Sequence, residues 1–375
     1  MTEQSSQPLR LGFVGGGVNS AIGYTHFNAS RMDGHFILES GCFSRHEAIN
    51  RQSATAYGVS PARTHADWHT LLEAEKGTLD AVAVLTPIPN HLETVCEALR
   101  LGYPVICEKP LGLSSKECQQ IHDAIEQCEG YLAVTLNYSG YPMVRQLREM
   151  IREGRLGELQ QVVIEMPQES FLRQGANPQE WRRRDYDVPT VSLDLGVHVH
   201  HLISFITSGL KPVRVSADHS SFGLFEGLID NVYCIAEYEK RLKVQAWWGK
   251  TALGHRNGLR LRVYGSKASA EWYQMDPEFL QWADNDGHYY ALDRSSGEAT
   301  LAQTGRYNRF KAGHPSGFVE AFANLYADIA SELREGRGGQ SVSEENVFGA
   351  DQAAEALHFL ESVHRSADEH RWLDL

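Results

Sequence analysis

The chain has 375 residues, 42% hydrophobic and 22% charged, which supplies apolar material for more than one core of ordinary size. Its formal net charge of -13 argues against a broad basic surface for nucleic acid or anionic lipid. No run of about 18 apolar residues occurs, so no membrane-spanning helix is expected.

Residues 1–8 read as a polar leader without an apolar signal core. The spacing then predicts a strand over 9–14, a glycine turn, and a helix reaching residue 32. A strand over 36–43 and a helix over 47–57 follow. Residues 81–85 are a continuous apolar run, hence a buried strand, ending at Thr86-Pro87. Asn90 stands where an N-cap belongs, and Gly102 suits the left-handed end of the helix it opens. Strands over 105–107 and 131–136 enclose a helix capped by Ser114. Buried strands alternating with helices predict an α/β fold with a parallel, doubly wound sheet.

The texture changes after Asn137. A helix over 142–153 stops at Gly154, a strand covers 159–166, and the polar stretch 167–191 precedes a helix near 196–208. Strands are expected over 213–219, 231–238, 242–248, 259–264 and 268–273, with Lys240-Arg241 at a hairpin tip. Such a succession favours an antiparallel or mixed sheet. Helices over 317–335 and 344–363, separated by the glycines of 336–339, close the chain. The expected division falls at residue 136, with a parallel-sheet domain over 1–136 and a second α/β domain over 137–375.

Gly15, Gly17 and Gly23 follow a strand and open a helix, where backbone approaches a pyrophosphate at the helix N-terminus. The spacing exceeds G-x-G-x-x-G by three residues, and the bland alternative is a flexible turn. About 20 residues beyond Gly23 the next strand ends at Phe43-Ser44-Arg45, with no carboxylate for ribose hydroxyls. Ser44 and Arg45 suit a 2′-phosphate, which favours NADP slightly over NAD. Alternatively Arg45 faces solvent or stacks on adenine, and NAD is used.

Lys109, between Glu108 and Pro110, ends a buried strand. There it can hold a substrate hydroxyl as a cation or act as a base with a lowered pKa, Glu108 orienting it. A structural Glu–Lys pair is the alternative. Asp194 and His198 are i, i+4 and share a face if the helix has begun by Asp194. A carboxylate beside imidazole suits acid–base chemistry. With His200 or His201 the same pair could bind Zn²⁺, but such pairs are common in non-metal sites, so no metal is expected. His200 and His201 read as one buried and one exposed helix residue. Trp181-Arg182-Arg183-Arg184 reads as ion pairs or a cofactor contact, and Trp247, Trp248, Trp272, Tyr273 and Trp282 as sheet-face packing or a subunit interface. Six cysteines without a CxxC pair read as reduced thiols of a cytoplasmic protein.

Several of these stretches resemble one family, the Gfo/Idh/MocA oxidoreductases (glucose–fructose oxidoreductase, inositol dehydrogenase, rhizopine catabolism). They are Gly15-x-Gly17 to Gly23-x-x-His26, Thr86-Pro-Ile-Pro-Asn90-His91, Glu108-Lys109-Pro110-Leu111, residues 137–142, Gly154-Arg-Leu-Gly157 and Asp194-x-Gly-x-His198. The resemblance spans nearly the whole chain and is most specific at Glu-Lys-Pro and Asp-x-Gly-x-His. It implies a Rossmann domain, then an α/β domain whose large open sheet builds a homodimer or homotetramer. It implies that Lys109 holds the substrate hydroxyl, that His198 is the acid–base group, and that Asp194 partners the substrate or the histidine. Asn90, His91 and Glu108 are expected around the nicotinamide, Thr86 and Asn137 elsewhere among the cofactor-binding residues, and Tyr138, Trp181 and Arg182 on the substrate side. His314, in a segment similar to a subgroup acting on sugars and cyclitols, is expected to reach the substrate. Pro189-Thr-Val-Ser192 replaces the family's glycine-rich run, so the substrate wall is expected to differ.

The expected activity is NAD(P)-dependent hydride transfer at a secondary hydroxyl or ketone of a sugar, cyclitol or polyol. One rival is a non-catalytic dinucleotide sensor, which has no need of Lys109, Asp194 and His198 together. The other is a zinc hydrolase built on Asp194 and His198.

Overall fold

The computed structural model describes residues 7–336 and 345–375. Most of the leader, the glycine linker beyond Gly336 and the start expected for the last helix lie outside the described residues. The apolar runs of the first third form β1 (Leu9–Gly15), β2 (Phe36–Cys42), β3 (Ala81–Leu85), β4 (Val105–Cys107) and β5 (Leu132–Val134). They pair in parallel in the order β2-β1-β3-β4-β5. Every residue of β3 is buried, as a strand covered on both faces requires. The connections carry α1 (Gly23–Arg31), α2 (Glu47–Tyr57), α3 (Trp68–Ala74), α4 (His91–Arg100) and α5 (Ser115–Cys128). Gly58 and Gly102 follow α2 and α4 at φ 72° and 85°, where a side chain would be strained. Asn90 does occupy the N-cap of α4, but its side chain makes no capping bond. The short α3 was not expected; Asp67 caps it, accepting from the Thr70 N–H at 2.8 Å.

One compact unit comprises the described parts of Met1–Gly112, Lys116–Gly140 and Phe318–Ala354. The expected division at residue 136 had assigned 318–354 to the second domain. Instead α8 (Phe318–Glu335) contributes Phe322, Tyr326 and Ile329 to the cluster that buries Phe27, Phe36 and Ile106. The 3.6-residue apolar stripe of α8 is thereby removed from water against the Rossmann sheet and α1.

The second unit comprises Leu113–Ser115, Tyr141–Gly317 and Glu355–Leu375. Its strands are β6 (Leu159–Pro167), β7 (Pro212–Ser220), β8 (Asn231–Tyr238), β9 (Lys243–Gly249), β10 (Arg260–Gly265), β11 (Ala268–Tyr273), β12 (Asp276–Asp284), β13 (Tyr289–Asp293) and β14 (Leu373–Asp374). They form one sheet, β13-β12-β11-β10-β6-β9-β8-β7-β14, antiparallel except at β6–β9. The last three strands were not expected. Trp248, Trp272 and Trp282 are buried in this sheet, while Tyr233 stacks on Trp247 at 6.1 Å beside the half-exposed Ile235. Trp248, Trp272 and Trp282 are thus sheet-face packing. Helices α6 (Pro142–Arg152), α7 (Val197–Ile206) and α9 (Ala350–Glu369) complete the chain, α9 entering this unit at Glu355. Helix α9 runs past the expected end at 363 because Ser366 and Ala367 still face the core. All six cysteines are free. Among the described residues no helix is long and apolar enough to cross a membrane.

Candidate active site

In the first unit the register aligns Val14 with Cys42 and Val84, Val84 with Cys107, and Cys107 with Val134. The carboxyl ends of all five strands therefore lie in one row, the position where open α/β sheets bind ligands. Gly15 ends β1, and Ser44-Arg45, Thr86, Glu108-Lys109 and Asn137 follow the ends of the other four strands. The chain changes direction between β1 and β3, and there Gly15 (φ 83°) lies so close that a Cβ would sit 2.8 Å from the Leu85 carbonyl oxygen. A Cβ on Gly17 would meet the Phe43 oxygen at 2.9 Å, and one on Gly23 the Gly16 oxygen at 1.9 Å. Only glycine fits this cradle. Ser20, one of the surplus residues, closes the turn: its N–H donates to Gly17 O at 2.8 Å and its Oγ accepts from Gly23 N at 3.2 Å. Tyr57 donates to Gly16 O at 2.9 Å from beneath.

The donor set also fits a dinucleotide. Thr86 Oγ1 and Asn137 Nδ2 are buried and find no hydrogen-bond partner among the described residues, an expensive state unless a ligand supplies one. Ser44 Oγ accepts from the His46 N–H at 3.1 Å, and Arg45 is exposed. His91 and Glu108, expected around the nicotinamide, also hold the loop. Both ring nitrogens of the buried His91 face carbonyls, Nδ1 that of Pro110 at 3.0 Å and Nε2 that of Thr86 at 2.8 Å. Burial lowers its pKa towards the neutral ring, which donates to one carbonyl at a time. His91 thus ties the turn after β3 to the Lys109–Pro110 turn after β4. Glu108 Oε1 lies 2.9 Å from His26 Nε2 and accepts from Thr135, while His26 Nδ1 meets the Tyr326 hydroxyl at 2.8 Å. Burial pushes the Glu108 carboxyl up, but His26, Lys109 and Thr135 bring it below its ordinary value.

In the second unit, Asp194 lies in a π-turn, Ser192–Gly196, that leads directly into α7. Such wide turns inside helices cluster at functional positions. Gly196 permits it: a Cβ there would meet the Trp248 ring at 3.1 Å, and Trp248 Nε1 donates to Ser192 Oγ at 3.0 Å. His198 stands in the first turn of α7, buried like Asp194. Arg182 grips the Asp194 carboxylate with two nitrogens, at 3.1 and 3.2 Å. The buried Lys250 reaches the same carboxylate at 2.5 Å, its ammonium 5.0 Å from the centre of the Phe171 ring. Lys250 had no sequence signal; it follows β9 and lies 56 positions from Asp194. Trp181 is buried under the Arg182 guanidinium at 4.2 Å and supports that ion pair, while Arg183 donates to the Pro178 carbonyl and Arg184 to the Tyr186 hydroxyl, each at 3.1 Å.

The remaining expectations divide. Tyr138 is buried in the first unit, 6.4 Å from the Phe318 ring. His314 is exposed, its Nδ1 facing the Lys311 carbonyl at 3.2 Å. His200 and His201 are both buried, which corrects the expectation that one is exposed. The Asp194 carboxylate, held by two cations, is a poor place for a metal ion. Among the described residues the two clusters with metal-ligand spacing contain neither Asp194 nor His198.

A glycine cradle at the switch point of a parallel sheet, with Glu-Lys-Pro at a neighbouring strand end, defines a dinucleotide-dependent oxidoreductase. Residues 9–136 match the oxidoreductase family with an NAD-binding Rossmann fold, and residues 144–271 the GFO/IDH/MocA C-terminal domain. The chain belongs to the Gfo/Idh/MocA family of oxidoreductases with an NAD-binding Rossmann fold. It is 29% identical to the uncharacterized oxidoreductase YfiI of Bacillus subtilis, covering 97% of this chain and 96% of that one. It is also similar to an inositol dehydrogenase homolog of Azotobacter vinelandii solved with NAD⁺, at 30% identity, 99% and 98% coverage and a TM-score of 0.90. The same relative's complex with NADH and myo-inositol superposes with a TM-score of 0.87, at 30% identity and with coverage of 99% and 98%.

Proposed function

We propose that the protein interconverts a secondary hydroxyl and a ketone on a polyhydroxylated ring, a cyclitol or sugar, using NAD(H) or NADP(H). The observation that carries this reading is the Asp194–Lys250 pair, buried and gripped by the half-buried Arg182, one helical turn from His198. Fixed charges of both signs offer donors and an acceptor to several hydroxyls at once, which a small apolar alcohol would leave unpaired. A relative 30% identical that was solved with myo-inositol supports the substrate class.

The nicotinamide supplies or accepts the hydride when bound. Lys109 donates a charge-assisted hydrogen bond to the reacting oxygen and favours its alkoxide character in the transition state. His198 takes the hydroxyl proton in oxidation and returns it in reduction. Asp194 fixes the substrate and the cationic pair around it. Asn90 at the head of α4, Thr86 and Asn137 border the cofactor, while His91 and Glu108 act through the Lys109 turn. Ser44 and Arg45, beside Gly17, leave room and charge for a 2′-phosphate, so NADP(H) is expected to bind at least as tightly as NAD(H). A panel of cyclitols, aldoses and polyols, assayed with each dinucleotide by nicotinamide absorbance, tests the reading. Turnover of a ring polyol is the expected result; turnover of simple acyclic alcohols alone would contradict it.

A further inference from the structure

In the second unit, among residues given no catalytic or cofactor role above, three side chains converge where the end of α9 lies against β7. His364 and Asp368 are i, i+4 on α9 and share one face, His364 Nε2 standing 3.4 Å from an Asp368 oxygen. His219, from the far end of β7, places Nε2 3.0 Å from the other Asp368 oxygen. One ligand atom from each residue lies within 4.8 Å of the other two. Ligands bound tetrahedrally to Zn²⁺ at about 2.0–2.1 Å stand roughly 3.3 Å apart, so small side-chain adjustments close the set.

The backbone beneath is fixed. Ser366, between the two helical residues, is fully buried; its Oγ accepts from Ala217 N at 3.1 Å and donates to Arg371 O at 2.6 Å. His219 is itself in register with Val232 of β8, and β14 pairs back onto β7 through Leu373 and Val215. The ligands therefore project from a strand and a helix already bolted together, as a preorganised site requires. Side-chain exposure of 26% for His219, 25% for His364 and 56% for Asp368 leaves an open side for water as the fourth ligand.

We infer that His219, His364 and Asp368 form a binding site for one divalent transition-metal ion of the Zn²⁺ type. Two imidazoles and a carboxylate select Zn²⁺, Co²⁺, Ni²⁺ or Cu²⁺ over Mg²⁺ and Ca²⁺, which prefer oxygen. The ion clamps the last turn of α9 to β7. It takes no part in hydride transfer.

The test uses the full-length, untagged protein, treated with chelator, dialysed, and titrated with Co²⁺ and then Zn²⁺. Saturable visible absorption at one Co²⁺ per chain is expected, with displacement by Zn²⁺ and a rise in the thermal midpoint on Zn²⁺ addition. Losing one of three ligands should weaken the metal at least as much as losing an outer-shell partner, about 10- to 100-fold. Asp368→Asn and His219→Gln, both at exposed or half-exposed positions, should therefore lose the Co²⁺ signal and the thermal shift while keeping the wild-type circular dichroism and dinucleotide affinity. Absence of saturable Co²⁺ absorption in the wild type would overturn the site, leaving a hydrogen-bonded His–Asp–His group. Metal binding that persists unchanged in both variants would overturn it equally, by locating the ion elsewhere.

Discussion

Acid should unfold this protein through two histidines that take no part in catalysis. His200 and His201 are both buried in α7, and burial drives each pKa down to about 3, helped by Lys211 for His200 and by His200 and Arg148 for His201. The unfolded rings take up a proton near about pH 6.5. Between the two values the unfolded chain binds one more proton per histidine than the native chain, so stability is intact above the higher value and falls as pH drops below it. The slope is about 1.4 kcal/mol per pH unit for each ring, which integrates to about 2 kcal/mol per histidine on going from about pH 8 to about pH 5. The His200 ring packs 5.0 Å from Phe359, and its Nε2 finds no partner among the described residues, so leucine removes titration without breaking a hydrogen bond there. Urea unfolding of wild type and His200→Leu at both pH values measures the effect, and any packing change cancels in the double difference. The variant should lose about 2 kcal/mol less than wild type between the two conditions. An identical pH dependence in the two proteins would refute the assignment of His200 as a neutral buried ring.

Ser44→Asp should weaken NADP(H) and strengthen NAD(H), because a carboxylate repels the 2′-phosphate and accepts from ribose hydroxyls; fluorescence titration of both dinucleotides measures it, and a wild type strongly selective for NAD would count against the proposed role of Ser44 and Arg45. Lys250→Met should cost about 1.5–3 kcal/mol of stability, the worth of a hydrogen bond to a charged group, since the mostly buried Asp194 keeps Arg182 as a partner in this cluster. Adding Asp194→Leu to Lys250→Met should recover stability without recovering turnover, which separates the structural role of the pair from its part at the site.

The Rossmann sheet was legible because its strands are buried on both faces. Runs such as Ala81–Leu85 contain no polar residue to confuse the period, and glycines mark the helix ends. The strands β12 and β13 escaped notice because Asp276-Pro277-Glu278 opens one and Asp286-Gly287 separates them, so charge and turn residues mask the alternation. The placement of α8 with the first unit was not legible, since an amphipathic stripe declares that a helix is covered but not by what. Local motifs singled out Lys109, Asp194 and His198 as candidates. Their supports were hidden, because contacts such as Asp194–Lys250 and Glu108–His26 join residues 56 and 82 positions apart. His91 was read from its motif as a cofactor neighbour, and the link its ring makes between two backbone carbonyls was not legible.

The central claim is that Lys109 and His198 carry the proton chemistry of a dehydrogenase. Steady-state turnover of Lys109→Ala and His198→Ala on the best ring polyol, with dinucleotide affinity measured alongside, tests it most directly. Loss of a positioned acid–base group should lower kcat by about 10²–10⁴-fold, while dinucleotide affinity stays near that of the wild type. Near-wild-type turnover in both variants, with cofactor binding intact, would contradict the account and put the chemistry on other residues.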